Sequence, residues 1–190
     1  WGWTETPCDD DALFHEFSML LTKENGYTYG AGSTTIYPTN GGSDDWMYGE
    51  QDTKDLILSY TPEVGGGSDG FWPSISNIIP LCQEQMWQNI HVARLAGKYA
   101  VVSDKSPLVL EDEIDFFNFE IKRLGLAAAD TFTVYITPLD DNIIETGNPV
   151  IFENMELLQE ELDSISYILD PGIENGTTFS YLLSVDNGDF

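Results

Sequence analysis

Apolar positions along the chain follow two different rules. In roughly the first hundred residues they recur at helical spacing or in an unbroken run. Leu13, Phe14, Phe17, Leu20 and Leu21 share one helical face. Asp9, Asp10 and Asp11 stand before that face and Asn25-Gly26 after it, acids at the start and a breaker at the end. Tyr27 to Tyr37 reads as an extended aromatic segment, and Asn40 to Ser43 as a turn. Asp55 to Pro62 (DLILSYTP) carries Leu56, Ile57, Leu58 and Tyr60 almost without interruption and predicts a buried strand. A glycine-rich loop, VGGGSDGFWP, follows. Ser76 to Lys98 predicts a long helix with an apolar stripe through Ile79, Met86, Ile90, Ala93 and Gly97. Pro80 falls in its first turn, where no backbone donor is lost.

From Ala100 the spacing changes to alternation. Phe117, Phe119 and Ile121 form one run, and Phe132, Val134 and Ile136 another. Ile165, Tyr167 and Leu169 follow, then Phe179, Tyr181, Leu183 and Val185. Asp140-Asp141-Asn142, Thr146-Gly147-Asn148-Pro149 and Asp170-Pro171-Gly172 punctuate them as turns. This pattern predicts an antiparallel β-sandwich. The expected organisation is an α/β domain over residues 1–100 and an all-β sandwich over 101–190, with the boundary near Val101 to Ser106. No internal repeat links the halves.

Composition narrows the partners. Seven Lys and Arg face thirty-three Asp and Glu, for a net charge of -26. Such a surface repels nucleic acid and anionic lipid, so neither is an expected partner. The acids are spread along the chain, as in a solvated surface suited to a salty extracellular medium. Secretion or cell-surface exposure is the expected location. No apolar run is long enough to span a membrane, and no signal peptide is present. Trp1 without a Met and an end just after a strand-like run both read as edges of a longer chain. Two cysteines, Cys8 and Cys82, suggest one disulfide in an extracellular protein, the alternative being two free buried thiols.

The candidate chemistry starts at Glu63. It stands at the far end of the predicted buried strand, before the glycine-rich loop, and strand C-termini in α/β sheets are where ligands bind. A carboxylate there can take a proton from water and pass it to a leaving amine; the plain alternative is a solvated acid. Metal ligands are scarce, because the only histidines are His15 and His91. Their surroundings match neither His-x-x-Glu nor HExxH, and a catalytic zinc needs three protein ligands. The acidic runs Asp9 to Asp11, Glu111 to Asp115 and Asp140-Asp141 could take calcium, but none has a complete EF-hand spacing, so solvated faces are expected. Asn175-Gly176-Thr177 is a glycosylation sequon that also reads as a turn.

Ile36 to Glu63, IYPTNGGSDDWMYGEQDTKDLILSYTPE, resembles the C-terminal half of the active site of zinc carboxypeptidases of the pancreatic carboxypeptidase A/B family. The family pattern TIYxxxGGSxDW is matched by TIYPTNGGSDDW with the same Tyr-to-Trp distance. The pattern (S/T)-F-T-F-E, which ends in the family's general base, is matched by SYTPE, with Pro62 in place of the usual aromatic. GFWP, Gly70 to Pro73, and IIP, Ile78 to Pro80, follow in family order. The resemblance implies Glu63 as general base. It implies Tyr37 as the mobile phenol that closes over the substrate's terminal carboxylate, a role that suits an uncharged donor. Asp44 falls at the floor of the specificity pocket and implies preference for a basic C-terminal residue, since a buried carboxylate demands a cation; otherwise it caps its turn. Thr61 would line the same pocket.

Trp1-Gly2-Trp3 resembles the end of a segment that follows the family's last zinc ligand. The resemblance therefore places the zinc ligands and the arginines that grip the substrate upstream of this chain. Zinc is expected in the intact enzyme and not in this portion. Residues 101–190 resemble the β-sandwich modules that follow peptidase domains in secreted bacterial enzymes. The expected function is the C-terminal part of a secreted zinc carboxypeptidase acting on peptide or protein C-termini, inactive alone. The rival is a non-catalytic extracellular binding or adhesion module that keeps a degenerate peptidase scaffold. A partial sheet also predicts self-association through an unpaired edge.

Overall fold

A computed structural model describes residues 6–39 and 41–189. The Trp1-Gly2-Trp3 segment and Asn40 lie outside the described residues. The chain combines helices with antiparallel sheets and divides into two compact units, Trp1–Ala93 and Arg94–Phe190.

In the first unit, helix α1 (Asp11–Leu21) forms where the acids and apolar spacing predict it. Leu13, Phe14, Phe17, Ser18 and Leu21 are buried. The Ser18 carbonyl ends the helix by accepting from the Thr22 amide at 3.0 Å and the Thr22 hydroxyl at 2.8 Å. Two short helices follow, α2 (Gly32–Thr35) and α3 (Ser43–Gly49). The expected extended segment Tyr27 to Tyr37 thus contains a helical turn. Asp44 and Asp45, expected in a tight turn, lie in the first turn of α3, where carboxylates suit the exposed helix amides. A 3-10 turn (Ile75–Asn77) leads into α4 (Ile78–Ala96).

The predicted strand at Asp55 to Pro62 is not one. Among the described residues the first unit has no β-strand, so the expected partial sheet is absent from it. Leu56 and Ile57 are exposed. An apolar run becomes a central strand only when strands flank it on both sides, and the described part of this unit supplies neither neighbour. The expected stripe of α4 is also turned outward. Ile79, Met86 and Ile90 are exposed, while Gln85, Gln88, His91 and Leu95 are buried. The expected disulfide is not formed: Cys8 and Cys82 are free thiols. Cys8 lies beside the Tyr48 and Tyr60 phenols, whereas Cys82 lies on the exposed side of α4.

The second unit is built on alternation. Its strands are β1 (Ala100–Asp104), β2 (Ile114–Arg123), β3 (Thr131–Pro138), β4 (Ile143–Thr146), β5 (Val150–Glu153), β6 (Glu160–Leu169) and β7 (Tyr181–Asp186). They form two antiparallel sheets, ordered β1-β2-β6-β4 and β5-β3-β7. The alternating apolar residues of both sheets face one shared core: Phe117, Phe119 and Ile121 from β2, Phe132, Val134 and Ile136 from β3, and Ile165, Tyr167 and Leu169 from β6. The stretch expected to be a boundary, Val101 to Ser106, is largely strand β1, registered against β2 from Ala100↔Arg123 to Asp104↔Phe119.

Two devices finish this unit. Arg123 is buried at the end of β2 and donates from Nε to the Gly125 carbonyl at 3.3 Å and from Nη1 to the Met155 carbonyl at 2.5 Å. A cation there satisfies two carbonyls that no strand neighbour reaches. Just before β1, Lys98 Nζ pairs with Asp189 Oδ1 at 2.7 Å, and Asn187 Nδ2 donates to the Lys98 carbonyl at 2.8 Å.

Candidate active site

The residues singled out in the sequence are carried by three pieces of the first unit: the loop after α2, the start of α3, and the segment that ends at Glu63. Phe14 of α1 joins two of these. Its ring meets Tyr48 of α3 edge-on at 5.5 Å and Tyr60 at 5.3 Å, the second three residues before Glu63. Edge-to-face pairs of this kind add stability beyond the area they bury. The Ile57 amide donates to the Met47 carbonyl at 3.2 Å, tying the same segment to α3. Lys54 donates its ammonium to the Met47 and Glu50 carbonyls at the C-terminal end of α3, the end of a helix that favours a cation. Asp44 and Glu63 therefore lie on pieces anchored to one aromatic side chain.

Tyr27 holds the far side of Glu63. Its hydroxyl accepts from the Gly65 amide at 2.8 Å and from Gln85 Nε2 at 3.0 Å, and donates to Glu84 Oε2 at 3.1 Å. One phenol thus fixes the loop two residues after Glu63 against α4. Tyr27 was not singled out in the sequence, where it is one of nine tyrosines. Only its place after the Asn25-Gly26 breaker sets it apart.

The four candidates differ in setting. Tyr37 is 60% exposed on its loop. Asp44 is half-buried, and its carboxylate folds back over the turn: a Cβ built on Gly42 would meet Oδ1 at 2.9 Å. Thr61 and Glu63 are exposed. Among the described residues no hydrogen bond or ion pair joins these four side chains. A hollow of about 560 Å³ lies in the second unit, lined by Tyr99, Val102, Phe132, Tyr135, Leu183 and Asp186 among others, and none of the four reaches it.

Burial, with contacts to Cys8 and Asp10, pushes the Tyr48 phenol well above its usual range. Tyr48 donates to Asp10 Oδ2 at 3.0 Å as a neutral phenol. Burial does the same to Tyr60. Both are positioning side chains that stay protonated at any physiological pH.

Neither histidine stands in a metal-ligand set. His15 is exposed on α1 beside Asp11 at 3.7 Å. His91 is buried in α4, with Nδ1 on the Trp87 carbonyl at 2.8 Å and its ring stacked 3.8 Å from Trp87. Among the described residues no three His, Cys, Asp or Glu side chains are grouped as a metal requires. The described side chains do not fit a zinc site.

Residues 1–88 match the zinc carboxypeptidase family. Carboxypeptidase B of Canis lupus familiaris is 48% identical over 94 residues, which is 48% of this chain and 22% of that protein. Carboxypeptidase B of Bos taurus is 49% identical over 61 residues, 32% of this chain and 14% of that protein. Carboxypeptidase B of Astacus astacus is 37% identical over 91 residues, 44% of this chain and 29% of that protein. The chain thus spans about a fifth of the length of the relatives it matches. No solved structure matches it. The zinc carboxypeptidase match stops short of the seven strands, all of which lie beyond residue 88. No helix among the described residues is long and apolar enough to cross a membrane.

Proposed function

We propose that residues 1–100 are the C-terminal portion of a secreted zinc carboxypeptidase that removes C-terminal residues, preferably basic ones, from peptides. In this reading the zinc ligands lie upstream of the chain, and residues 101–190 form a β-sandwich accessory module. The observation that carries it is the zinc carboxypeptidase match over residues 1–88, which spans every candidate residue. The shared anchoring of the Asp44 helix and the Glu63 segment on Phe14 supports it. The two antiparallel sheets with one core support the sandwich, and the net charge of -26 supports an extracellular setting.

The roles follow from each group's chemistry. Glu63 takes a proton from the attacking water and returns it to the leaving amine. The Tyr37 phenol, on an exposed loop, donates to the substrate's terminal carboxylate. Asp44 offers a carboxylate to a Lys or Arg side chain, with Thr61 beside it. The competing reading is that Asp44 only caps its turn.

The test is hydrolysis of benzoylglycyl-arginine and benzoylglycyl-phenylalanine by the zinc-loaded polypeptide carrying this chain and its upstream sequence. Glu63→Gln is expected to lower kcat by ~10²–10⁴-fold, the usual weight of a general base. Asp44→Asn is expected to reduce the arginine preference while sparing the phenylalanine substrate. Full activity in Glu63→Gln, or zinc-dependent, chelator-sensitive cleavage by the 190-residue chain alone, refutes the proposal.

A further inference from the structure

Glu63 is pinned on both sides within a few residues. Before it, the Tyr60 ring meets Phe14 at 5.3 Å. After it, the Gly65 amide donates to the Tyr27 hydroxyl at 2.8 Å. That hydroxyl also accepts from Gln85 Nε2 at 3.0 Å and donates to Glu84 Oε2 at 3.1 Å, so it acts as donor and as acceptor at once. Tyr27 is held in turn. Its amide donates to Asn25 Oδ1 at 3.0 Å, and Asn25 Nδ2 donates to the Glu84 carbonyl at 3.4 Å.

The loop beyond Glu63 contains Gly65, Gly66 and Gly67, and glycines left to themselves give the most mobile backbone. Here two side chains remove that freedom. Gly65 takes a left-handed φ of +88°, and a Cβ on it would stand 3.2 to 3.4 Å from the Asp69 side chain. Asp69 Oδ2 accepts from the Gly66 amide at 2.9 Å, and the Asp69 amide donates to the Gly66 carbonyl at 2.9 Å. Asp69 Oδ1 accepts from Asn77 Nδ2 at 2.9 Å, in the turn that leads into α4. The Gly66 amide, with Asn77, holds the Asp69 carboxyl below its usual range. The Glu63 side chain is exposed, so the backbone on either side sets where its carboxylate stands. A general base works only within hydrogen-bond reach of its proton, and a misplacement of ~1 Å can cost ~10²-fold.

We propose that Tyr27 and Asp69 are positioning residues for the Glu63 base, clamping the glycine loop to α4 and to the turn before it so that the carboxylate is held in place before substrate arrives. This rests on the carboxypeptidase reading above. Both residues act through Glu63 and not on the substrate.

The experiment compares Tyr27→Phe, Asp69→Ala, Asp69→Asn and Glu63→Gln in the zinc-loaded polypeptide carrying this chain and its upstream sequence, with benzoylglycyl-arginine as substrate. Amide hydrogen exchange is followed by NMR in the 190-residue chain. Tyr27→Phe and Asp69→Ala are each expected to lower kcat by ~10–10²-fold with KM within about twofold of the parent. Asp69→Asn keeps an acceptor for the Gly66 amide and is expected to recover most of kcat. Exchange should quicken about five- to tenfold at Gly65 in Tyr27→Phe and at Gly66 in Asp69→Ala, the weight of one hydrogen bond, with the amides of α1 unchanged. A merely structural role would lower Tm and leave the kcat of the folded enzyme alone. If Tyr27→Phe does not fold, Asp69→Ala decides. Parental kcat in the clamp variants beside a crippled Glu63→Gln overturns the clamp and leaves the catalytic reading standing. A change in KM alone, or Gly65 exchange unmoved in Tyr27→Phe, also overturns the clamp. Full activity in Glu63→Gln overturns both.

Discussion

Gly125→Ala is expected to be among the most damaging single-methyl changes in the second unit. Just past β2, the chain runs against the backbone that enters β1. The amides of Leu124 and Gly125 both donate to the Tyr99 carbonyl, at 2.9 and 2.7 Å, and Leu126 and Ala127 donate to Leu95 and Gly97 at 2.8 and 3.3 Å. A Cβ on residue 125 would stand 2.2 Å from the Gly97 carbonyl oxygen, 2.2 Å from the Tyr99 nitrogen and 3.1 Å from the Lys98 carbonyl carbon. All three are backbone atoms, so no rotamer relieves the clash; the two segments must separate. Overpacking alone costs ~1–3 kcal/mol. Stretching two or three of the four hydrogen bonds adds ~0.5–1.5 kcal/mol each. A total of ~4 kcal/mol is a large share of the ~5–15 kcal/mol that holds a domain together. For a unit of this size it lowers Tm by roughly 15–30 °C. The assay is thermal and urea unfolding followed by circular dichroism. Gly67→Ala serves as the control, since a Cβ there meets nothing within 4 Å. If Gly125→Ala melts within about 3 °C of the parent, the backbone contact is not what the reasoning requires.

Two further expectations follow from named contacts. Phe14→Ala removes the ring between Tyr48 and Tyr60 and should cost ~3–5 kcal/mol, the usual range for a buried Phe. It is read as a lower urea midpoint that Phe14→Leu largely restores; equal losses in the two variants would count against the anchor. Asp140 accepts from the Ser180 amide at 2.7 Å and the Asn142 amide at 3.0 Å, and these bonds, Ser180 first, hold its carboxyl below the usual range. The folded pKa is depressed, so the stabilisation is present above the unfolded value near ~4 and is lost as pH falls through the folded one. The Tm gap between the parent and Asp140→Asn should be full at about pH 6 and shrink below about pH 4; a gap unchanged at pH 3 would contradict the assignment.

The sequence spoke most clearly where structure is local. Helix α1 is set by five apolar residues and flanking acids within eleven positions, and β2, β3 and β6 by alternation that meets one core. Strand β1 falls on the expected boundary stretch because its five residues, three of them small or polar, carry little pattern. Leu56 and Ile57 misled for a different reason: a continuous apolar run reports what the segment is fit to pack against, not whether the described chain provides it. The stripe of α4 misled in the same way. For the candidate site, Glu63 is singled out by its place at the end of an apolar run, and Tyr37, Asp44 and Thr61 only by family patterns. Tyr27 and Phe14, which fix the pieces that carry Asp44 and Glu63, act through hydrogen bonds and ring contacts between residues far apart in the chain. No local motif announces them.

The pairing of Lys98 with Asp189, and of Asn187 with the Lys98 carbonyl, brings the first and last described parts of the strand-rich unit together. A pull along the main chain would load this polar clasp before it reached the sheets. The same adjacency makes the unit a cassette that could be spliced into a surface loop of an unrelated host without prying the host's loop apart.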